Sequence, residues 1–578
     1  MGSSLKRMVD FLALPGSGVC AWIGRDPDDP TADGFGNVST FLLKVSEAAK
    51  SKSLAPLYYH LRDGRSGELY CPMPGGRFCR CSSELASQLG VSRSGLNGSL
   101  DLATVLKSLA EYADKGQPEQ HPLLILRWDE VVASGYGVDQ VASQLLNLNR
   151  RITFRKARLS ILIYFRSEED IPERLKERVP IFHIPPPDGE EIELLLKAGL
   201  SQYPEARLDG QLALDKMAHL CQGLCGSTIY RIIKESAAYK EPVKAEEIRA
   251  ERQREVRRRS GGLLIPMEGK NIRLVGRAIQ PVLLYGEAIL RNLERGDPAT
   301  PLFILLAGPP GVGKTASVYH MAHRYPQIHF YRAGPIKHSL VGQSERNMET
   351  ILTMTYESRP SVLFIDEFTG MVPTRRLDSN TDSGVSNAML AMLLESLGNQ
   401  ERAGRTLLIG TTNDPSLIDA ALLDRAQIVP VFNPLPEDYP EILVANIALL
   451  NGKIHDPKEE WIQEAAQEFY RKRASPRAIL DALRLIYNEQ GKLGPEEVLM
   501  AAEGALDKSN SPEWLAARLA ELRAIQMAVH KHLFPWHTDP SLIPDYLRRI
   551  FNLEGEIDQM ALADEIRDLE RYLAQRQA

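Results

Sequence analysis

At 578 residues the chain is long enough for three to five folding units. Its 43% hydrophobic and 25% charged content is that of a globular protein, which excludes a disordered or fibrous polymer. The formal net charge of −6 and a pI near 6.1 leave no overall basic footprint of the kind duplex DNA demands. Six cysteines over this length predict no disulfide framework and fit a reducing cytosol. No apolar run approaches the ~18 residues needed to span a bilayer. The N-terminal MGSSLKRMVDFLALPGSG meets an aspartate early and makes a poor signal peptide. The expectation is a soluble, cytoplasmic protein with no membrane partner.

In chain order, GVCAWIG (18–24) reads as a buried strand running into RDPDDPTADG, an Asp-rich loop that would repel phosphate. Cys71, Cys79 and Cys81 cluster in a Pro/Gly-rich stretch. With His60 or His121 they would make a zinc site, but paired C-x₂-C knuckles are absent and the expectation is no metal there. HPLLILRWDE (121–130) is an apolar strand ending in Asp129 and Glu130, and 157–196 reads as a strand, a short helix, an edge strand and the entry to a lid. From Lys244 to Arg259 seven basic residues face four acidic ones, with no apolar stripe, before Gly261-Gly262. This reads as a charged, solvated helical linker, the alternative being a nucleic-acid or acidic-protein contact.

Beyond it helix and strand signals alternate. PLFILLAG (301–308), IHFYRAG (328–334), SVLFIDE (361–367) and TLLIGTTN (406–413) are apolar strands, with helices between them. That alternation predicts a parallel sheet covered on both faces. After Pro434 the signals are helical, a small lid over 433–505, and 506–578 is helical and charged without a motif. The expected domains are therefore an α/β domain over 1–240, the linker 241–262, a large subdomain 263–432, the lid 433–505 and an extension 506–578.

Gly308-Pro309-Pro310-Gly311-Val312-Gly313-Lys314-Thr315 fits the Walker A pattern G-x-x-x-x-G-K-[ST] between a strand and a helix. Backbone N–H groups of such a loop face phosphates, Lys314 reaches the β- and γ-phosphates, and Thr315 ligates Mg²⁺. Asp366 and Glu367 end an apolar strand as a Walker B pair. Asp366 is placed for the Mg²⁺ shell and Glu367 to polarise an attacking water. Asn413, ending the next strand, is either a water-orienting amide or a turn residue. Arg425 is either an arginine finger for a neighbouring subunit's γ-phosphate or a cation at a helix C-terminus. Ser475 and Pro476 open a lid helix, and Arg477 is either a γ-phosphate sensor or a surface arginine. The cofactors expected are ATP and Mg²⁺.

These elements in this order, over about 265–505, resemble the AAA+ ATPases, and the second half is most similar to the AAA clade of unfoldases and remodellers. SLVGQSE (339–345) resembles that clade's pore loop with the G-x-S-E start of its next helix, and TTNDPSLIDAALLDRA (411–426) its second region of homology. The resemblance implies a hexameric ring with ATP between subunits and a polypeptide drawn through the centre. Leu340 stands where the clade offers an aromatic, one arginine replaces its usual two, and Arg477 is a residue that clade members often lack. The first half is similar to a degenerate AAA-like module without a P-loop lysine, the alternative being an unrelated recruitment domain. A dead module followed by a live one resembles a group of AAA proteins of cyanobacteria and plastids. The resulting expectation is an ATP hydrolase that oligomerises and remodels a protein or complex. Alternatives are a nucleic-acid motor or loader drawing on the basic linker, and a slow nucleotide-gated scaffold.

Overall fold

The computed structural model describes residues 3–578 apart from 34–35, 64–65, 74–76, 82–99, 115–120, 136, 210–212, 335–342, 372–382, 553, 555 and 578. The chain divides into two compact units, Met1–Arg252 and Gln253–Ala578.

In the second unit five strands run parallel in the spatial order His329–Ala333, Ser361–Ile365, Thr406–Thr412, Phe303–Ala307, Gln427–Pro430. The short Leu264–Pro266 strand adds antiparallel to the first of them. The three inner strands, Ser361–Ile365, Thr406–Thr412 and Phe303–Ala307, are buried on both faces because helices cover both. Phe303, Leu305 and Leu363 point into one core, and Ile304, Leu306 and Phe364 into the other. Phe303–Ala307, the first of the five parallel strands in sequence, lies between the last two, Thr406–Thr412 and Gln427–Pro430, so the strand order reverses beside it. Its C-terminal end is the place where a ligand crevice forms in an open parallel sheet. Four helices, Tyr439–Asn451, Glu460–Arg471, Pro476–Gln490 and Pro495–Gly504, pack round their own core of Leu443, Ile462, Phe469 and Leu483 as the lid.

The first unit repeats this plan. Its parallel strands lie in the order Leu54–Asp63, His121–Arg127, Ser160–Phe165, Gly18–Gly24, Ile181–Ile184, with Ser66–Met73 and Arg77–Arg80 continuing antiparallel at one edge. The helices Gly189–Gln202, Leu214–Leu220 and Gly226–Tyr239 follow the last parallel strand, as the lid helices do in the second unit. The fold is thus α/β twice over, each sheet followed by helices, with a helical tail after the second.

Three expectations change. The helix Ala245–Arg259 is not solvated all round: Ile248 lies in the first unit's helical core, Val256 in the second unit's sheet core, and Arg252 is 3% exposed. Asp129 and Glu130 belong not to the strand but to the helix Trp128–Ala133 that follows it. Cys71 and Cys81 form a disulfide across the edge hairpin, which removes both from the thiolate set considered for zinc. Among the described residues no group of three or more His, Cys, Asp or Glu is arranged to hold a metal ion, and no helix is long and apolar enough to cross a membrane.

The extension 506–578 carries one buried acid. Glu521, on the helix Pro512–Met527, is fully buried and its Oε1 accepts the backbone N–H of Asn433 at 2.6 Å, where sheet passes into lid. Burial pushes its carboxyl up to about 7, against the pull of Asn433 and Arg518. A carboxyl raised in the folded state favours folding below its unfolded value near 4.5 and loses that contribution as pH rises through about 7. Glu521→Gln keeps the acceptor and removes the titration. The melting temperature of the wild type minus that of the variant is expected to fall by several degrees between pH 5 and 8, read by calorimetry, with Glu521→Gln the more stable at pH 8.

Candidate nucleotide-binding site

Residues 308–315 connect the strand Phe303–Ala307 to the helix Lys314–Arg324. Gly313 caps that helix with φ +104°, a conformation an L side chain resists. The first-turn N–H groups of the helix lack intrahelical partners and are free to face an anion. Lys314 is 8% exposed, and its Nζ donates to Gly308 O at 2.6 Å, Pro309 O at 2.5 Å and Asn413 Oδ1 at 2.8 Å. Burial pulls its ammonium down to about 8; Asp366 and Glu367 oppose that shift and Arg477 adds to it. Three neutral acceptors thus hold a buried cation at the spot where a phosphate oxygen would be a stronger partner.

The two strands beside the loop supply the acids. Thr315 Oγ1 donates to Asp366 Oδ1 at 3.1 Å, and Thr411 Oγ1 donates to the same carboxylate oxygen at 2.6 Å. A hydroxyl and a carboxylate converging at a helix N-terminus are hard oxygen donors of the kind Mg²⁺ takes. Glu367 follows with φ +50°, which costs an ordinary residue of order 1 kcal/mol. Its N–H is tied to Thr411 Oγ1 at 3.0 Å and its carboxylate is exposed in the cleft.

The lid closes the other side. Ser475 caps the helix Pro476–Gln490 by accepting the N–H of Ala478 at 3.3 Å. A Cβ on Gly311 would stand 2.9 Å from Ser475 Oγ and 3.5 Å from Arg477 Cβ, so loop and lid meet there. Between them lies a cleft of about 990 Å³. Lys314, Thr315, Asp366, Glu367, Asn413 and Arg477 form its polar end, and Ile272, Leu274, Ile279, Ile442 and Leu480 its apolar end.

Of the sequence-predicted residues, the structure brings together 310–315, Asp366, Glu367, Asn413 and Arg477 round one cleft. Gly308 and Pro309 lie just behind it, with their carbonyls on Lys314. Arg425 does not join them. It is exposed and donates from Nη1 to Ala421 O at 2.9 Å, away from this cleft. Leu340 lies outside the described residues. Sequence reasoning missed 271–275, a stretch without regular structure whose apolar side chains line the cleft. It also missed Asp438, a buried carboxylate accepting the N–H groups of Arg277 at 2.5 Å and Ala278 at 3.0 Å. Only the P-E-D run after the hinge prolines hinted at the latter.

The first unit fills the corresponding place differently. After Gly18–Gly24, Arg25 is buried and donates to Asp29 at 2.9 Å and Glu191 at 2.7 Å, while Lys44 also pairs with Glu191. Asp29 accepts the N–H groups of Gly226 at 3.1 Å and Ser227 at 2.8 Å, at the start of the helix Gly226–Tyr239. A Cβ on Gly226 would lie 2.2 Å from Pro30 O, so the helix start sits hard against the loop. A carboxylate of the chain thus takes the anion position at this helix N-terminus.

A buried lysine, an amide-lined turn and two carboxylates at the switch point of a parallel sheet define a P-loop nucleotide-binding protein. The family described as "ATPase family associated with various cellular activities (AAA)" matches residues 304–433. That segment is an AAA domain. Among curated relatives, protein mac-1 of Caenorhabditis elegans is 34% identical over 144 residues, 24% of this chain and 17% of that protein. The peroxisomal ATPase PEX6 of Penicillium chrysogenum is 34% identical over 125 residues, 21% of this chain and 8% of that one. The putative ribosome biogenesis ATPase nvl of Dictyostelium discoideum is 31% identical over 150 residues, 25% and 17%. The matched segment spans less than a fifth of each of these relatives.

A phosphate-binding role for Lys314 requires its ammonium form. The affinity for a fluorescent ADP analogue is expected to hold steady up to about pH 7.5 and to weaken as pH rises through about 8, approaching tenfold per unit beyond it. Equilibrium titration between pH 7.5 and 9.5 checks this, and Lys314→Ala removes the dependence together with most of the binding.

Proposed function

We propose that the second unit hydrolyses ATP and that the chain works as an oligomeric remodeller of a protein or macromolecular complex. The observation that carries the hydrolytic part is the convergence of Lys314, Asp366, Glu367 and Asn413 on one cleft, with Arg477 on the opposite wall. The loop amides and Lys314 bind the β- and γ-phosphates. Thr315 and Asp366 would hold Mg²⁺, which when bound neutralises phosphate charge. Glu367 draws the proton of the attacking water, and Asn413 fixes that water's direction. Arg477 meets the γ-phosphate from the lid, so that closure reports the nucleotide state.

Oligomerisation draws on Arg425. An exposed guanidinium turned away from its own cleft suits an arginine finger for a neighbour's γ-phosphate, and a hexameric ring supplies such a neighbour. Leu340 would then face the substrate in the ring's centre. The relatives' printed names, a peroxisomal ATPase and a putative ribosome biogenesis ATPase, belong to those proteins; the substrate proposed here is a polypeptide without further identity. The same reading places the chain in the cytoplasm.

The first unit, in this reading, is an AAA-like module that takes no nucleotide. Its strand order supports the AAA-like plan, and Asp29, whose carboxylate fills the space between the loop after Gly18–Gly24 and the start of the lid-like helix Gly226–Tyr239, supports the absence of nucleotide. A nucleic-acid role draws little support, since Arg252 of the basic helix is buried and Arg259 is engaged with Glu357 at 2.9 Å.

Glu367→Gln is expected to cut ATP turnover at least a hundredfold while ADP affinity stays within threefold. Mass photometry of that variant with ATP should give particles of about six chains. Arg425→Ala should assemble equally and turn over at least tenfold slower. A Glu367→Gln protein that still hydrolyses ATP at the wild-type rate removes the hydrolytic reading; monomers at every ATP concentration remove the ring.

A further inference from the structure

The extension 506–578 has no sequence motif, yet it is folded: the helix Pro512–Met527, a run of turns, and the helix Gln559–Gln577 enclose Leu519, Leu522, Trp536, Leu547 and Leu562. The same core takes in Phe432 and Leu435, the residues that lead from the sheet into the lid, and Phe432 packs against Trp536 at 4.8 Å between ring centres with the planes tilted by 55°.

Its polar contacts reach both walls of the nucleotide cleft. On the sheet side Arg523 pairs with Asp414 and, through its other amino group at 2.6 Å, with Glu570 of the closing helix. Asp414 is the residue after Asn413, and it shapes the turn there by accepting from Ser416 N at 3.0 Å and Ser416 Oγ at 2.6 Å. Val529 N donates to Ile428 O of the edge strand at 3.1 Å. On the lid side Lys508 N donates to Lys472 O at 3.2 Å, and the guanidinium of Arg473 lies 5.4 Å from the ring centres of both Trp514 and Tyr546. Lys472 and Arg473 immediately precede the Ala474–Arg477 segment that opens the sensing helix. The fixed point between the two sides is Glu521 on Asn433.

We propose that the C-terminal extension is a strap across both walls of the nucleotide cleft, and that Arg523 is a positioning residue that holds the Asn413 turn in register for hydrolysis. The proposal rests on the hydrolytic reading of the cleft given above. Asn413 acts at an exposed site and owes its direction to the turn behind it. Catalytic geometry is lost steeply with displacement, a shift of ~1 Å costing about a hundredfold. Arg523 is only 17% exposed at the side chain, and its two-pronged grip ties that turn to two helices of the extension. The proposed contacts to the two phosphates of ADP come from 308–315, and the turn meets that loop through the Lys314 Nζ–Asn413 Oδ1 bond at 2.8 Å, one of three that hold the ammonium.

The test uses the full chain with Arg523→Ala, Arg523→Lys, Asp414→Ala and the Arg523→Ala/Asp414→Ala double variant. Arg523→Ala should lower kcat about tenfold with KM for ATP within twofold and ADP-analogue affinity unchanged, and Arg523→Lys should recover part of the rate. The double variant should be no slower than the slower single variant, the signature of one shared interaction. Amide exchange over residues 412–418 in nucleotide-free protein, faster in Arg523→Ala, is the reading that needs no turnover. Faster exchange in a protein whose wild type hydrolyses nothing keeps the strap and discards the hydrolytic reading. Unchanged exchange in Arg523→Ala, or rate losses that multiply in the double variant, overturns the strap.

Discussion

A lysine ammonium buried under the edge of an apolar sheet is the constraint on which the rest of the second unit depends. Lys314 is charged, desolvated and held by three neutral oxygens only. A buried cation is tolerated when it is paired, and here the pairing carboxylates act at a distance while the direct contacts are weak. The arrangement is therefore poised for a polyanion. The two-sided apolar sheet, the turn at Gly313 and the acids at the ends of neighbouring strands follow from the need to hold that cation dry and in place.

The two units set out the same plan with opposite electrostatics. In the second, the position at the end of Phe303–Ala307 is left open to an outside anion. In the first, Asp29 supplies the anion from within, and Arg25, Glu191 and Lys44 neutralise one another around it. Burial raises the Asp29 carboxyl and lowers the Lys44 ammonium to about 8. The first unit's loop is thereby closed on its own side chains.

The strands of both units were legible because parallel strands covered on both faces are written as continuous apolar runs: FILLA, SVLFI and SILIYF admit few other readings. The Walker residues were legible for a related reason, since carboxylates and a lysine at the ends of such runs have no place in a core. What escaped was written in tertiary contact. The stripe of the helix Ala245–Arg259 is Ile248, Arg252 and Val256, one face at four-residue steps, and a charged residue in its middle hides it from any hydropathy count. The Cys71–Cys81 disulfide depends on a hairpin register that spacing alone does not fix. The extension looked merely charged because its acids and arginines find partners more than a hundred residues away at Asp414 and nearly ninety away at Asn433.

The central claim is one nucleotide cradle per chain, formed by the second unit round Lys314. Isothermal titration of the full chain with a non-hydrolysable ATP analogue and Mg²⁺ tests it most directly. The account predicts one site per chain, and no measurable site in Lys314→Ala protein that remains folded by calorimetry. Two sites per chain, or unaltered binding in that variant, would contradict it.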